Sequence, residues 1–196
     1  MDLVFDLLQG AGIAAAVGIR PLLPVLLVGA LASANAGIDF DGTSFAFLES
    51  PAFLLGALVL IALIDVLRRR LGDDALEAGP GFLGVAVVAL ALGALLAAGS
   101  MADRDHPVAL GLGAGLACAL LGLLASRALF GRVRARLDDA AATALPVYRE
   151  GVALAAAGLS VLFPPLAVVV IGGLVILMAG NRRRSGEKYA GLRILR

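Results

Sequence analysis

The sequence predicts an all-α, polytopic transmembrane protein. It forms one domain over residues 1–180, with an inverted internal repeat and a basic cytoplasmic tail over 181–196. Three observations predict this. Of 196 residues, 61% are hydrophobic and only 16% charged, with a mean hydropathy of +0.99. Soluble domains carry roughly a quarter charged and about half apolar residues, so this balance argues against a soluble helical domain. The apolar residues also form blocks of membrane-spanning length rather than amphipathic stripes. Finally, the first and last blocks, 7–34 and 151–179, are both interrupted by proline.

The first block carries Gly18-Ile19-Arg20-Pro21-Leu22-Leu23-Pro24 in its middle. Pro21 removes a backbone donor and disfavours helix at Arg20, so the block is expected to break there. An acidic, turn-rich linker over 35–51 follows, with Asp39, Asp41 and Glu49. Three full spans are predicted next, over 52–67, 81–99 and 108–126. The first of these ends in Arg68, Arg69 and Arg70 and carries Asp65.

A short polar loop, 100–107, holds Asp103, Arg104, Asp105 and His106 and is read as solvated. In the third span Gly111 and Gly115 form a small-xxx-small register, expected to pack inside the protomer rather than as a dimer seam. Residues 127–150 read as a basic amphipathic connector that either extends the preceding helix or lies on the bilayer surface. The last block breaks at Pro164-Pro165, with Glu150 at its entrance.

Shifted by 140 residues, the two broken blocks match around their breaks. Gly18 falls on Gly158 and Pro24 on Pro164, and this glycine–proline spacing carries the case for a repeat. The arginine clusters after the spans belong on the cytoplasmic side by the positive-inside rule. Both flanks of the last block are then basic and inside, and both flanks of the first, with Asp2, Asp6, Asp39 and Asp41, are acidic and outside. Two re-entrant hairpins entering from opposite faces satisfy this pattern. Limbs of about a dozen residues would reach roughly 18 Å, past the midplane of a core about 30 Å thick. The competing reading is a first block that crosses as one kinked, tilted helix.

Arg20 is the residue whose placement most needs a reason, because charge inside a bilayer is costly unless paired or hydrated. Two readings stand side by side. In one, the hairpin tips meet and Arg20, Pro21 and Ser160 make a central polar site for an ion or small anionic solute, with Asp65 and Glu150 as further candidates. In the other, Arg20 is a structural partner for Asp65 or Glu150. Gly18, Pro24, Gly158, Pro164 and Pro165 are read as the helix breaks. No catalytic constellation, phosphate loop or dinucleotide fingerprint is present, so no enzyme, cofactor or metal is expected. The lone Cys118 lies in an apolar block and is read as packing. The basic clusters follow apolar blocks, which points to anionic lipid headgroups rather than nucleic acid.

The alanine-rich run from Gly12 to Leu31 with Arg20-Pro21 and Pro24 resembles the bacterial integral membrane proteins grouped as domain of unknown function 4126. Asp65 in the second block, Pro146 in the connector, Glu150 and Pro164 add to the resemblance. It implies a polytopic inner-membrane protein over about 3–180 and transfers no activity. The inverted broken helices make the expected function a small transporter or channel for an ion or small anionic solute, with the bilayer and a second copy of the chain as partners. The alternative is a non-transporting scaffold, lipid-organising protein or partner subunit.

Overall fold

The computed structural model describes residues 2–71, 80–137 and 143–190, and among these the regular structure is entirely helical. Seven α-helices follow in order: α1 (Asp2–Ile19), α2 (Leu22–Ser33), α3 (Pro51–Leu71), α4 (Pro80–Ala102), α5 (Val108–Arg134), α6 (Leu145–Leu162) and α7 (Leu166–Ala190). A single 3-10 turn, Ala46–Glu49, precedes α3. Three helical stretches, Gly81–Ala102, Val108–Arg134 and Leu145–Leu162, are long and apolar enough to cross a membrane. The predicted 52–67 span falls in α3, whose apolar part, Pro51–Leu67, is shorter. In its place α6 qualifies, because it begins at Leu145 rather than at 151.

α1 is the axis of the molecule. Every residue from Gln9 to Arg20 is buried, as a helix apolar on all sides requires. Its alanines and glycines make this burial feasible, because neighbours approach from several directions without meeting bulky side chains. Gly10 lies against Ala97 of α4, Gly12 against Ser160 of α6 and Ala167 of α7, and Gly18 against the Ala119 carbonyl of α5. The small residues of α5 are spent the same way. Gly111 and Gly115 meet Ala97, Ala98 and Ala94 of α4, and Gly122 meets Ala15 of α1. The small-xxx-small register is thus an internal seam.

At Arg20-Pro21 the chain doubles back. The Gln9 side-chain amide, near the start of α1, donates to the Gly37 carbonyl just beyond α2 at 2.7 Å. Gly37, at φ +84, also lies against the Val161 carbonyl of α6. A positive φ and so close an approach both favour glycine there.

α6 runs antiparallel along α1. Glu150 meets Arg20, Ser160 meets Gly12, and the Val161 carbonyl accepts from Gln9. Past Pro164-Pro165 the chain returns, with Ala167 beside Gly12 and Leu174 packed with Ala15 and Ile19. α1 and α6 are both 18 residues long. In each case a proline stands two residues past the helix end, Pro21 after Ile19 and Pro164 after Leu162.

The expected break residues sort accordingly. Pro24 is buried in the first turn of α2. Gly18 lies inside the last turn of α1, and Gly158 is inside α6 beside Leu27. The second break itself is Phe163-Pro164-Pro165. The connector's first part continues α5 to Arg134, and residues 181–190 of the expected tail continue α7. The acidic pairs Asp73-Asp74 and Asp138-Asp139 lie outside the described residues.

α3 stands apart. It packs on α2 and the 3-10 turn, with Leu54 against Gly29, and leaves Leu55, Leu58, Val59, Leu63 and Val66 exposed.

Candidate functional site

The site forms where α1 ends. A helix C-terminus leaves carbonyls without intrahelical partners and carries partial negative charge, so cations are favoured there. Two arginines fill that role. Arg149 of α6 donates from Nε to the Ile19 carbonyl at 3.1 Å and from Nη2 to Ser126 Oγ at 3.4 Å. Its guanidinium also lies 5.7 Å from the Phe130 ring centre. Arg20 follows α1 directly and its own amide still closes the last turn on Ala16. Its Nη2 and Nε both donate to Glu150 Oε1, at 3.0 and 3.3 Å. The Arg20 side chain is 11% exposed and that of Glu150 36%.

The pair edges a cleft of about 460 Å³ between the α1–α2 turn and α3. Arg20, Pro21, Leu22 and Leu23 line one side, Leu58, Ile61, Ala62, Ile64 and Asp65 the other, and Val85 of α4 and Glu150 complete it. The wall is therefore aliphatic apart from one guanidinium and two carboxylates. No side chain caps the start of α2, and prolines at 21 and 24 supply no amide proton. Of the first amides of that helix, only those of Leu22 and Leu23 remain beside Arg20. Comparison with family models, curated proteins and solved structures returned no match.

Four of the five predicted site residues, Arg20, Pro21, Asp65 and Glu150, thus meet in one cleft. Ser160 does not. It is buried against Gly12 and donates to the Ala156 carbonyl of its own helix at 2.7 Å. Arg20 and Ser160 are not brought together, because α6 runs antiparallel along α1 from Arg20 to Gln9. Arg20 is level with the early turns of α6 and Ser160 is more than two turns away. Glu150 is also the sixth residue of α6 rather than at its mouth.

The opposite end of α1 holds a second polar cluster that sequence reading missed. Asp6 is 1% exposed. Its Oδ1 receives Arg104 Nη1 at 3.1 Å, and His106 Nε2 approaches Oδ2 at 3.3 Å. That Oδ2 has no aligned hydrogen-bond donor among the described residues. Ser100 Oγ donates to the Asp6 carbonyl and to Gln9 Oε1, while the Gln9 amide holds Gly37 and Val161. The loop read as solvated is therefore the lid of this cluster.

Nearby, Asp39, Asp41 and Glu49 bring carboxylate oxygens within 4.8 Å of one another. The Phe40 amide donates to Glu49 Oε2 and the Asp41 amide to Asp39 Oδ1, so the loop supplies its own donors. Burial is the main cause that raises the Glu49 carboxyl above its ordinary range, and Asp41 and Asp39 push the same way. Burial likewise raises Asp103, against a backbone hydrogen bond from Asp39 and the charge of Arg104.

Proposed function

We propose that this chain is a multispan membrane protein that binds a small charged solute at Arg20 and passes it across the bilayer. The observation that carries this reading is that the Arg20–Glu150 pair borders a cleft of about 460 Å³ instead of lying sealed in the core. Glu150 engages Arg20 through one oxygen only. A solute carboxylate or phosphate has the geometry to replace it, because guanidinium pairs best with two oxygens at once. The Leu22 and Leu23 amides at the start of α2 favour the same sign of charge.

The two antiparallel returns, α1–α2 and α6–α7, support an inverted pair of re-entrant hairpins. Such pairs recur where membrane transporters place a substrate. In this reading the arginine clusters face the cytoplasm, and the resemblance to domain of unknown function 4126 is one of membrane architecture alone.

The test is thermal unfolding of the full-length protein in detergent with acetate and with inorganic phosphate, followed by flux of the same anions in proteoliposomes. Glu150→Gln frees Arg20 and is expected to tighten anion binding about tenfold, the scale of one charge-assisted hydrogen bond. Arg20→Lys is expected to weaken it.

The salt bridge itself favours a second reading, a scaffold in which the pair only joins α1 to α6. A double-mutant cycle on Arg20→Ala and Glu150→Ala measures that role. A half-exposed partner limits the coupling to about 1 kcal/mol. Coupling of that size with no anion response and no flux supports the scaffold and defeats the transporter.

A further inference from the structure

Opening the Arg20–Glu150 pair has a chemical consequence for whatever enters the cleft. A bare anion that takes Arg20 leaves the Glu150 carboxylate without its partner, in a cleft that also holds Asp65. Stripping one member of a partly desolvated ion pair is costly, because the other charge stays uncompensated. A bare cation leaves Arg20 unused. A ligand with both signs replaces both partners at once, its anionic group on Arg20 and its ammonium on Glu150, with Asp65 adding negative charge to the same cleft. The exchange then leaves neither Arg20 nor Glu150 bare.

The rest of the wall narrows the class further. Leu22 and Leu23 on one side and Leu58, Ile61 and Val85 on the other offer no polar side chain. An entirely polar solute would leave these walls in contact with water or with its own polar atoms, whereas a hydrocarbon segment covers them favourably. Among the described residues α3 packs mainly on α2 and the 3-10 turn and leaves an apolar face exposed, so its side of the cleft is the one from which a bilayer component has access.

We infer that the occupant is a zwitterionic amphiphile, with a phosphate or carboxylate on Arg20, an ammonium between Glu150 and Asp65, and hydrocarbon along the leucine walls. This rests on the binding role proposed above for the same cleft. A membrane lipid and a free zwitterion share the headgroup chemistry, and the two are separated by experiment.

Full-length protein in detergent is titrated with dihexanoyl phosphatidylethanolamine, dihexanoyl phosphatidylglycerol and soluble phosphoethanolamine, with thermal unfolding as the readout. The ethanolamine lipid is expected to bind about tenfold tighter than the glycerol lipid, one ammonium–carboxylate contact being worth that factor. Soluble phosphoethanolamine is expected to bind at least as much more weakly than the ethanolamine lipid. Asp65→Asn and Glu150→Gln should each shrink the headgroup preference, and Arg20→Lys should weaken both lipids alike. Asp65 is exposed on α3, so its replacement disturbs packing little, and the unfolding midpoint without lipid checks that the fold survives.

Equal binding of the two lipids, or a preference that survives both carboxylate replacements, overturns the zwitterionic assignment. Phosphoethanolamine binding as tightly as the lipid overturns the amphiphile. If acetate and phosphate shift unfolding through Arg20 while neither lipid does, this inference fails and the solute-binding reading stands. If no anion and no lipid acts, both fail.

Discussion

The two ends of α1 solve the same problem in opposite ways. Each end carries charge on a helix buried on all sides from Gln9 onward. At the N-terminal end Asp6 is covered by the 103–106 loop, and Gln9 ties together Ser100, Gly37 and Val161. At the C-terminal end Arg20 meets a single acid at the edge of a cleft. A polar group whose partners come from several segments resists exchange, since removing any one leaves a buried group unsatisfied. One held by a single, partly exposed acid exchanges readily. The Asp6 end is thus a lock, and the Arg20 end is the place where chemistry with an outside partner is feasible.

Packing sharpens that contrast and gives the largest expected effect. A methyl group at Gly18 would run into the Ala119 carbonyl, which is backbone and has no rotamer to yield. At Gly10 the nearest atom to such a methyl is Ala97 Cα at 3.0 Å, so a shift of a few tenths of an ångström suffices. Gly18→Ala should cost about 3 kcal/mol and Gly10→Ala about 1 kcal/mol, within the range for overpacked cores. Unfolding in detergent measures both. Equal costs would mean that the α1–α5 contact at Gly18 is no less yielding than the α1–α4 contact at Gly10.

The lock comes next in size. Arg104→Ala removes the guanidinium that donates to the Asp6 carboxylate, leaving His106 beside it, and should cost about 2 kcal/mol. Arg104 is itself half-exposed, which holds the cost below that of a fully buried pair. Adding Asp6→Asn should restore part of the loss, because no uncompensated charge then stays buried. Anion response at Arg20 should be unchanged in the double variant. A lost response would mean that the two ends are coupled through α1.

The helical, apolar character of the chain and the break at Arg20-Pro21 were both legible in the sequence. So was Glu150 as an acid for Arg20, whereas Asp65 lines the same cleft without a bond to it. Periodicity, proline chemistry and the cost of charge in an apolar block are local signals, and they point to these features directly.

What was not legible depends on long-range register. Asp6 and Arg104 lie far apart in the chain, and nothing local to either marks them as partners. Ser160 was placed opposite Arg20 because the sequence aligns Gly158 with Gly18. In the fold an antiparallel α6 carries Ser160 to Gly12 instead. The early start of α6 was hidden because Tyr148, Arg149 and Glu150 read as connector, although Arg149 and Glu150 serve the end of α1.

The smallest effect concerns the acids around the lock. Burial raises the folded-state pKa of both Glu49 and Asp103 above the ordinary values of 4.5 and 3.8. The folded protein therefore binds these protons more tightly than the unfolded chain does. Stability rises as pH falls from each raised value toward the ordinary one, and it is lost as pH rises through the same interval. At neutral pH both carboxylates are a cost that their neutral analogues lack.

Glu49→Gln and Asp103→Asn should thus raise the unfolding midpoint at pH 7, and each gain should vanish once the pH falls below the ordinary value for that acid. Gln at 49 keeps an oxygen for the Phe40 amide, and Asn at 103 keeps one for the Asp39 amide, so the loop hydrogen bonds survive. The Asp103 gain should be the smaller, since Asp103 also stands 3.9 Å from Arg104 and loses that attraction on neutralisation. A midpoint lowered at pH 7 by both replacements would mean that these acids hold the lock shut through their charge. The Asp6 end would then depend on ionisation as the Arg20 end does, and the contrast between them would be one of exposure alone.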